Sequence, residues 1–213
     1  MTTRLLALVA VLLAALPLGG CISLSAQSED KAPSLYLLNA LPPRQSGVEK
    51  PEGRPTSLVV ELPQVAPGLA TDRIALIRGG QRLDYFANAR WAQSLPELLQ
   101  AFFAESLEHR LPRVRVGTPT EVSSADYRLQ VAVRDFQAVY RKGLETAPEL
   151  QVTLVATLSR PGNGKTLVQV REVRERRASA NRLGSVVVGL EELLEDAYTA
   201  VLDALRPEMG PRG

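Results

Sequence analysis

Five groups of residues in this 213-residue chain are of types that can do chemistry. Cys21, the only cysteine, offers a thiol. With no second cysteine it cannot close an internal disulfide, so its reactivity serves another purpose. Gly164-Lys165-Thr166 has the ending of a phosphate-binding loop. That loop needs a glycine five positions before Gly164, where Ser159 stands, and it must open a helix, whereas the residues after Thr166 alternate like a strand. Asn163-Gly164 reads instead as a hairpin turn. His109, the only histidine, lies on the polar side of a helical pattern near its C-terminal end, as a solvated residue. Glu191-Glu192 and Glu195-Asp196 read as the solvated acidic face of a second helix. Arg171, Arg174, Arg176 and Arg177 close a strand pattern. They suit contact with anionic lipid or a partner, or equally a charged edge that discourages strand pairing. No G-x-S-x-G elbow is present. These residues predict a non-enzyme without metal or cofactor.

The elements that would position them follow from periodicity. Leu35 to Leu38, Leu58 to Leu62 (stopped by Pro63) and Asp72 to Arg78 read as short strands. Gly79-Gly80 predicts a two-residue turn, with Gln81 to Phe86 as the return strand. Ser94 with Glu97 three residues on predicts a capping box. It opens a helix carrying Leu95, Leu98, Leu99, Phe102, Phe103, Leu107 and Leu111, ended by Pro112. Val114 to Val116 is a further short strand. Tyr127, Leu129, Val131 and Val133 alternate with polar residues, and the apolar phase then shifts to Phe136, Ala138 and Tyr140, predicting a bulge near Asp135. Leu150 to Leu158 and Lys165 to Glu175 read as two more strands. A last helix spans about Gly189 to Leu205 and ends at Pro207. The pattern predicts an α+β fold, a mainly antiparallel or mixed sheet with two amphipathic helices on one face. The domain would occupy residues 35–206, after a tether at 21–34 and a long loop from Pro42 to Pro55, with a disordered tail at 207–213.

Ahead of the tether, Arg4, the apolar run Leu5 to Leu16 and the small residues before Cys21 fit a bacterial export signal over residues 1–20. The twelve apolar residues are too few for a transmembrane helix, which needs about 20. Leu18-Gly19-Gly20-Cys21 resembles the lipobox of bacterial lipoproteins. That resemblance implies cleavage before Cys21 and acylation of its thiol and new amino group. Three acyl chains hold stably, at about 0.8 kcal/mol per buried methylene. Ile22, not aspartate, follows the cysteine, which by the enterobacterial sorting rule implies the outer membrane. The mature chain of 213 − 20 = 193 residues has a formal charge of 24 − 23 = +1, since Arg4 leaves with the signal. That balance gives no case for nucleic acid.

Asp72-Arg73-Ile74, the hairpin with Arg78 and Tyr85, then Ala89-Arg90-Trp91-Ala92 before a leucine-rich helix, and the early Tyr36-Leu37-Leu38, form a diffuse signature. It resembles the ABC-type transport auxiliary lipoproteins, the PqiC-like partners of MCE-domain systems, from about Leu35 to Leu205. The resemblance implies a periplasm-facing subunit working beside an MCE-domain protein, a permease and an ATPase that move lipids or other hydrophobic solutes. It admits a homo-oligomer, because tube-like partners have symmetric neighbours. Arg90, Trp91, Arg78 and Tyr85 are the candidate partner-interface residues. Arg90 with Trp91 suits an exposed anchor pair, or Trp91 plugs the core where hairpin meets helix. The alternative function is a lipoprotein chaperone that assembles an outer-membrane component.

Overall fold

A computed structural model describes residues 32–43 and 56–209. The export signal, Cys21, most of the tether, the body of the Pro42–Pro55 loop and the last four residues lie outside the described residues.

The strands are β1 (Ser34–Tyr36), β2 (Thr56–Val60), β3 (Gln64–Val65), β4 (Arg73–Arg78), β5 (Arg82–Trp91), β6 (Val114–Gly117), β7 (Tyr127–Tyr140), β8 (Glu149–Arg160) and β9 (Lys165–Arg177). The helices are α1 (Leu95–Arg110) and α2 (Leu183–Leu205), followed by a 3-10 turn at Arg206–Met209. The fold is α+β, with one nine-stranded mixed sheet.

β7 is the spine. Along one edge it pairs in parallel with β2, then β3, then β4, and β8 runs antiparallel along the other edge. β9 extends the sheet beyond β8, β6 lies outside β2, and β5 then β1 lie outside β4. The predicted bulge is present: register slips between Val133 and Asp135. Its polar groups satisfy one another, with Gln137 Nε2 donating to Asp135 Oδ1 at 3.0 Å and the Phe136 N–H to Gln137 Oε1 at 3.2 Å. The slip lets Leu129, Val131 and Val133 share a buried side with Phe136 and Ala138.

Both helices cover that apolar side in one contiguous core. α1 packs on β2, β3 and β6, and α2 on β7, β8 and β9. Tyr198 joins them, its ring 4.6 Å from that of Phe103 and 5.7 Å from that of Phe102. A buried phenol needs a partner, and its hydroxyl donates to the Phe103 carbonyl at 3.1 Å. The helices differ from expectation at their ends. Ser94 does not cap a backbone N–H; its hydroxyl turns to Glu97 Oε2 at 2.7 Å. α2 begins at Leu183, earlier than predicted, because packing of Val186 and Val187 overrides the low helix propensity of a Gly- and Val-rich segment. Pro207 does not end the ordered chain: the 3-10 turn carries Met209 into the core, so the expected disordered tail is corrected for residues 207–209.

Candidate functional site at the first hairpin

The first hairpin holds the four interface candidates. Its turn is Gly79-Gly80-Gln81, one residue longer than expected, since Arg78 pairs with Arg82. Both glycines have positive φ, 60° and 78°, and the Gln81 N–H donates to the Arg78 carbonyl at 3.3 Å. Arg78 Nη2 lies 3.1 Å from Asp84 Oδ2 across the hairpin. Tyr85 is held on two sides. The Arg73 guanidinium stacks 3.9 Å from its ring centre, and its hydroxyl donates to the Gly68 carbonyl at 2.9 Å. Gly68 has φ 87°, and a Cβ there would stand 2.2 Å from Leu83 Cδ2, so a bare backbone is needed for this approach.

Past Tyr85 the ladder breaks. Ala75 faces Tyr85 but Arg73 faces Arg90, so Phe86 to Ala89 bulge opposite Ile74, with Asn88 at φ 54°. On the other edge of β5, from the last bulged residue on, Ala89 to Trp91 pair with Ser34 to Tyr36, which brings in the N-terminal arm. β5 therefore runs to Trp91 and not only to Phe86.

Asp72 clasps these parts together. Arg90 Nη1 donates to both of its carboxylate oxygens, at 3.0 and 2.8 Å, and Thr71 Oγ1 donates at 3.3 Å. The Arg90 guanidinium, then the Thr71 hydroxyl, hold the exposed Asp72 carboxyl below the usual carboxylate range. The Trp91 N–H donates to the Asp72 carbonyl at 2.7 Å, the Leu95 N–H to the Thr71 carbonyl at 3.0 Å, and the Ala92 N–H to the Tyr36 carbonyl at 2.8 Å. One short segment thus ties hairpin, arm and the first turn of α1.

The four candidates therefore separate. Trp91 is 2% exposed, with its ring 5.7 Å from that of Phe136. It plugs the core at the end of β5, the second of the two readings the sequence offered, and is not an exposed anchor. Arg90 keeps an exposed side chain but is committed to Asp72, Arg78 is committed to Asp84, and Tyr85 is half-buried under Arg73. The structure brings Arg90 and Trp91 together with β1 and leaves Arg78 at the tip.

Sequence reasoning missed the surface beside this clasp. Leu35 and Leu37, 65% and 64% exposed, lie on the arm, and Leu35 is in register with Arg90 on the edge strand β1. The sequence marked both as part of a strand pattern and Leu37 as part of the signature; nothing there said that β1 would be an edge. His109 also differs from expectation. Its Nδ1 lies 2.8 Å from the Leu41 carbonyl, while the Leu41 N–H donates to Ser106 Oγ at 3.0 Å, so α1 clamps the arm from both sides of one residue. Glu191 on α2 accepts from the backbone and side chain of Asn39, both at 2.7 Å. The Gly164 segment leads into β9 and not into a helix, as the turn reading expected, and the Lys165 N–H donates to Asn163 Oδ1 at 3.0 Å. A groove of about 270 Å³ opens on the uncovered face of the sheet, lined by Glu61, Gln64, Gln130, Arg134, Thr157 and Gln169 among others. Its lining is mixed, with Leu62, Val131, Ala132 and Val155 between the polar residues.

One nine-stranded mixed sheet with two helices and a clasped hairpin defines an α+β domain. Residues 36–201 match the family of ABC-type transport auxiliary lipoprotein components, and the chain belongs to that family. It is an auxiliary lipoprotein component of an ABC-type transport system, anchored to a membrane of the bacterial envelope. No curated protein matches the sequence. The crystal structure of protein XCC0632 from Xanthomonas campestris, of the DUF330 family, is similar at 20% identity and a TM-score of 0.63, covering 79% of this chain and 92% of that one. A second, of an uncharacterized protein, is similar at 16% identity and a TM-score of 0.65, covering 82% and 99%. Both support the fold. A PelC dodecamer from Paraburkholderia phytofirmans superposes at a TM-score of 0.41 and 16% identity, covering 78% and 92%, too loosely to bear on this chain.

Proposed function

We propose that the protein is a non-catalytic subunit anchored to the outer membrane through Cys21, which receives or aligns an MCE-domain protein whose permease and ATPase move lipids or other hydrophobic solutes across the periplasm. The observation that carries this reading is the family match over residues 36–201 in a chain whose lipobox-like tetrapeptide stands 15 residues before it. The docking surface we assign is the β1 edge, with Leu35 and Leu37 exposed beside Arg90. An edge strand offers unpaired backbone groups to a partner's strand, and exposed leucines add apolar contact. A homo-oligomer would use the same edge or the free edge of β9.

The test is mass spectrometry of proteins crosslinked to the tagged, lipidated protein in intact cells. Recovery of an MCE-domain protein, lost in Leu35→Asp or Leu37→Asp variants, supports the reading. Recovery of an outer-membrane barrel or assembly factor without any MCE protein overturns it and supports the chaperone alternative. Ile22→Asp should retain the protein in the inner membrane; unchanged fractionation would count against outer-membrane sorting.

A further inference from the structure

The end of the sheet that holds the first hairpin's tip carries more cations than carboxylates. Register sets Arg82 opposite Arg78, Arg78 opposite Tyr140, Val139 opposite Glu149 and Glu149 opposite Arg177. One row thus crosses five strands, about 19 Å at the usual strand spacing. Arg141 and Lys142 follow Tyr140 directly. Arg182, at the start of α2, follows Asn181, whose Oδ1 accepts from the Tyr140 hydroxyl at 3.1 Å. Four carboxylates share this end against the six cations: Asp84 on Arg78, Glu149 on Arg141 at 2.7 Å, Glu145, and Glu175, whose charge also acts on Arg141. Arg82 and Arg182 make no ion pair among the described residues.

Two leucines stand out among these charges, Leu83 at 38% and Leu144 at 40% exposed. The Leu144 carbonyl accepts from Asn181 Nδ2 at 2.6 Å, which fixes its loop by the backbone and leaves the side chain outside. β1 runs parallel to β5, and β5 starts at this tip, so Ser34 is the end of β1 nearer the basic row. Ser34 pairs with Ala89, seven residues along β5 from Arg82, or at most about 23 Å from the row. The 13 residues from Cys21 to Ser34 span at most about 43–47 Å.

We infer that this end of the sheet lies on the membrane that carries the anchor, with its cations against the phosphates of an anionic bilayer surface and Leu83 and Leu144 at the acyl boundary. Basic residues near apolar side chains suit that surface, each cation adding about five-fold to partition. The contact fixes orientation: the Asn163-Gly164 turn, at the other end of the β8–β9 hairpin, points away from the bilayer. The inference rests on the lipid anchor and not on the MCE reading.

An introduced cysteine becomes the free thiol once Cys21 carries the anchor. Full-length lipidated protein with Leu144→Cys or Asn163→Cys, labelled with an environment-sensitive fluorophore, would be reconstituted into phosphatidylcholine vesicles with or without phosphatidylglycerol. The label at 144 should shift to the blue and be quenched by headgroup-region spin-labelled lipid in the anionic vesicles, and less in the neutral ones. The label at 163 should stay solvent-exposed. Adding Lys142→Glu, a change of two charges, should cut the ratio of docked to undocked protein about 25-fold at that five-fold scale. A solvent-exposed label at 144 in anionic vesicles, equal quenching at 163, or equal quenching in neutral vesicles would overturn the proposal.

Discussion

The sheet contains two hairpins built by different means. β8–β9 is long and regular: 12 and 13 residues in antiparallel register, with one slip between Leu158 and Ser159, covered by α2. β4–β5 is short and irregular, with a glycine turn, a four-residue bulge, a left-handed Asn88 and the Asp72 clasp. A regular hairpin asks only for alternating residue types, so many sequences suit it. An irregular one needs particular side chains to satisfy backbone groups that the ladder has dropped. The sequence signature accordingly sits in the first hairpin, and it is largely structural.

The largest test of that contrast is Trp91→Ala. Removing a fully buried indole at the end of β5 should cost about 3–5 kcal/mol, read as a lowered midpoint in thermal or denaturant unfolding. Val173→Ala, on the exposed side of β9, should stay within about 0.5 kcal/mol. A Trp91→Ala protein that keeps its stability but loses its partner would return Trp91 to the interface. Gly189→Ala comes next and probes the regular hairpin where it is tightest. A Cβ at Gly189 would stand 2.3 Å from Leu150 Cδ1, and Leu150 is fully buried beneath α2. Alanine gains up to about 1 kcal/mol in helix propensity, but overpacking costs about 1–3 kcal/mol. The expected result is a net loss of about 1 kcal/mol; a rise in stability would show that this contact is slack.

What the sequence could tell divides along the same line. The β8–β9 hairpin, the β7 bulge and both apolar helix stripes were legible, because each is written as a period or a shift of period. The parallel pairing of β2, β3 and β4 along one edge of β7 was not, since register between distant segments leaves no local trace. The two-residue β3 is too short to carry a period at all. At the site, the residues of the clasp were visible as a cluster, but not their roles. Which way Trp91 faces depends on the bulge at Phe86–Ala89, and a bulge between two strands leaves no period in the sequence. His109 was misread because its partner Leu41 lies 68 residues away.

Acid titration gives the smaller effects, and the two regions should respond with opposite sign. Glu195 on α2 is partly buried and has Glu191, Asp196 and Glu192 around it; burial first, then these charges, raise its carboxyl above the usual range, with Arg110 opposing. A raised acid holds its proton longer in the folded state, so its contribution is complete below the unfolded value and is lost as pH rises through the folded one. Glu195→Gln should therefore raise the unfolding midpoint at neutral pH and lose that advantage in acid. Asp72 is lowered, chiefly by Arg90, so its contribution is present above the unfolded value and lost as pH falls through the folded one. Asp72→Asn should lower the midpoint at neutral pH, with the difference closing in acid. The pair is exposed and screened by salt, so this shift is the smallest of the four. Its informative feature is the slope. If Asp72→Asn and the parent ran parallel across the acid range, the clasp would act through its backbone bonds to Trp91 and Leu95, and the carboxylate would be incidental.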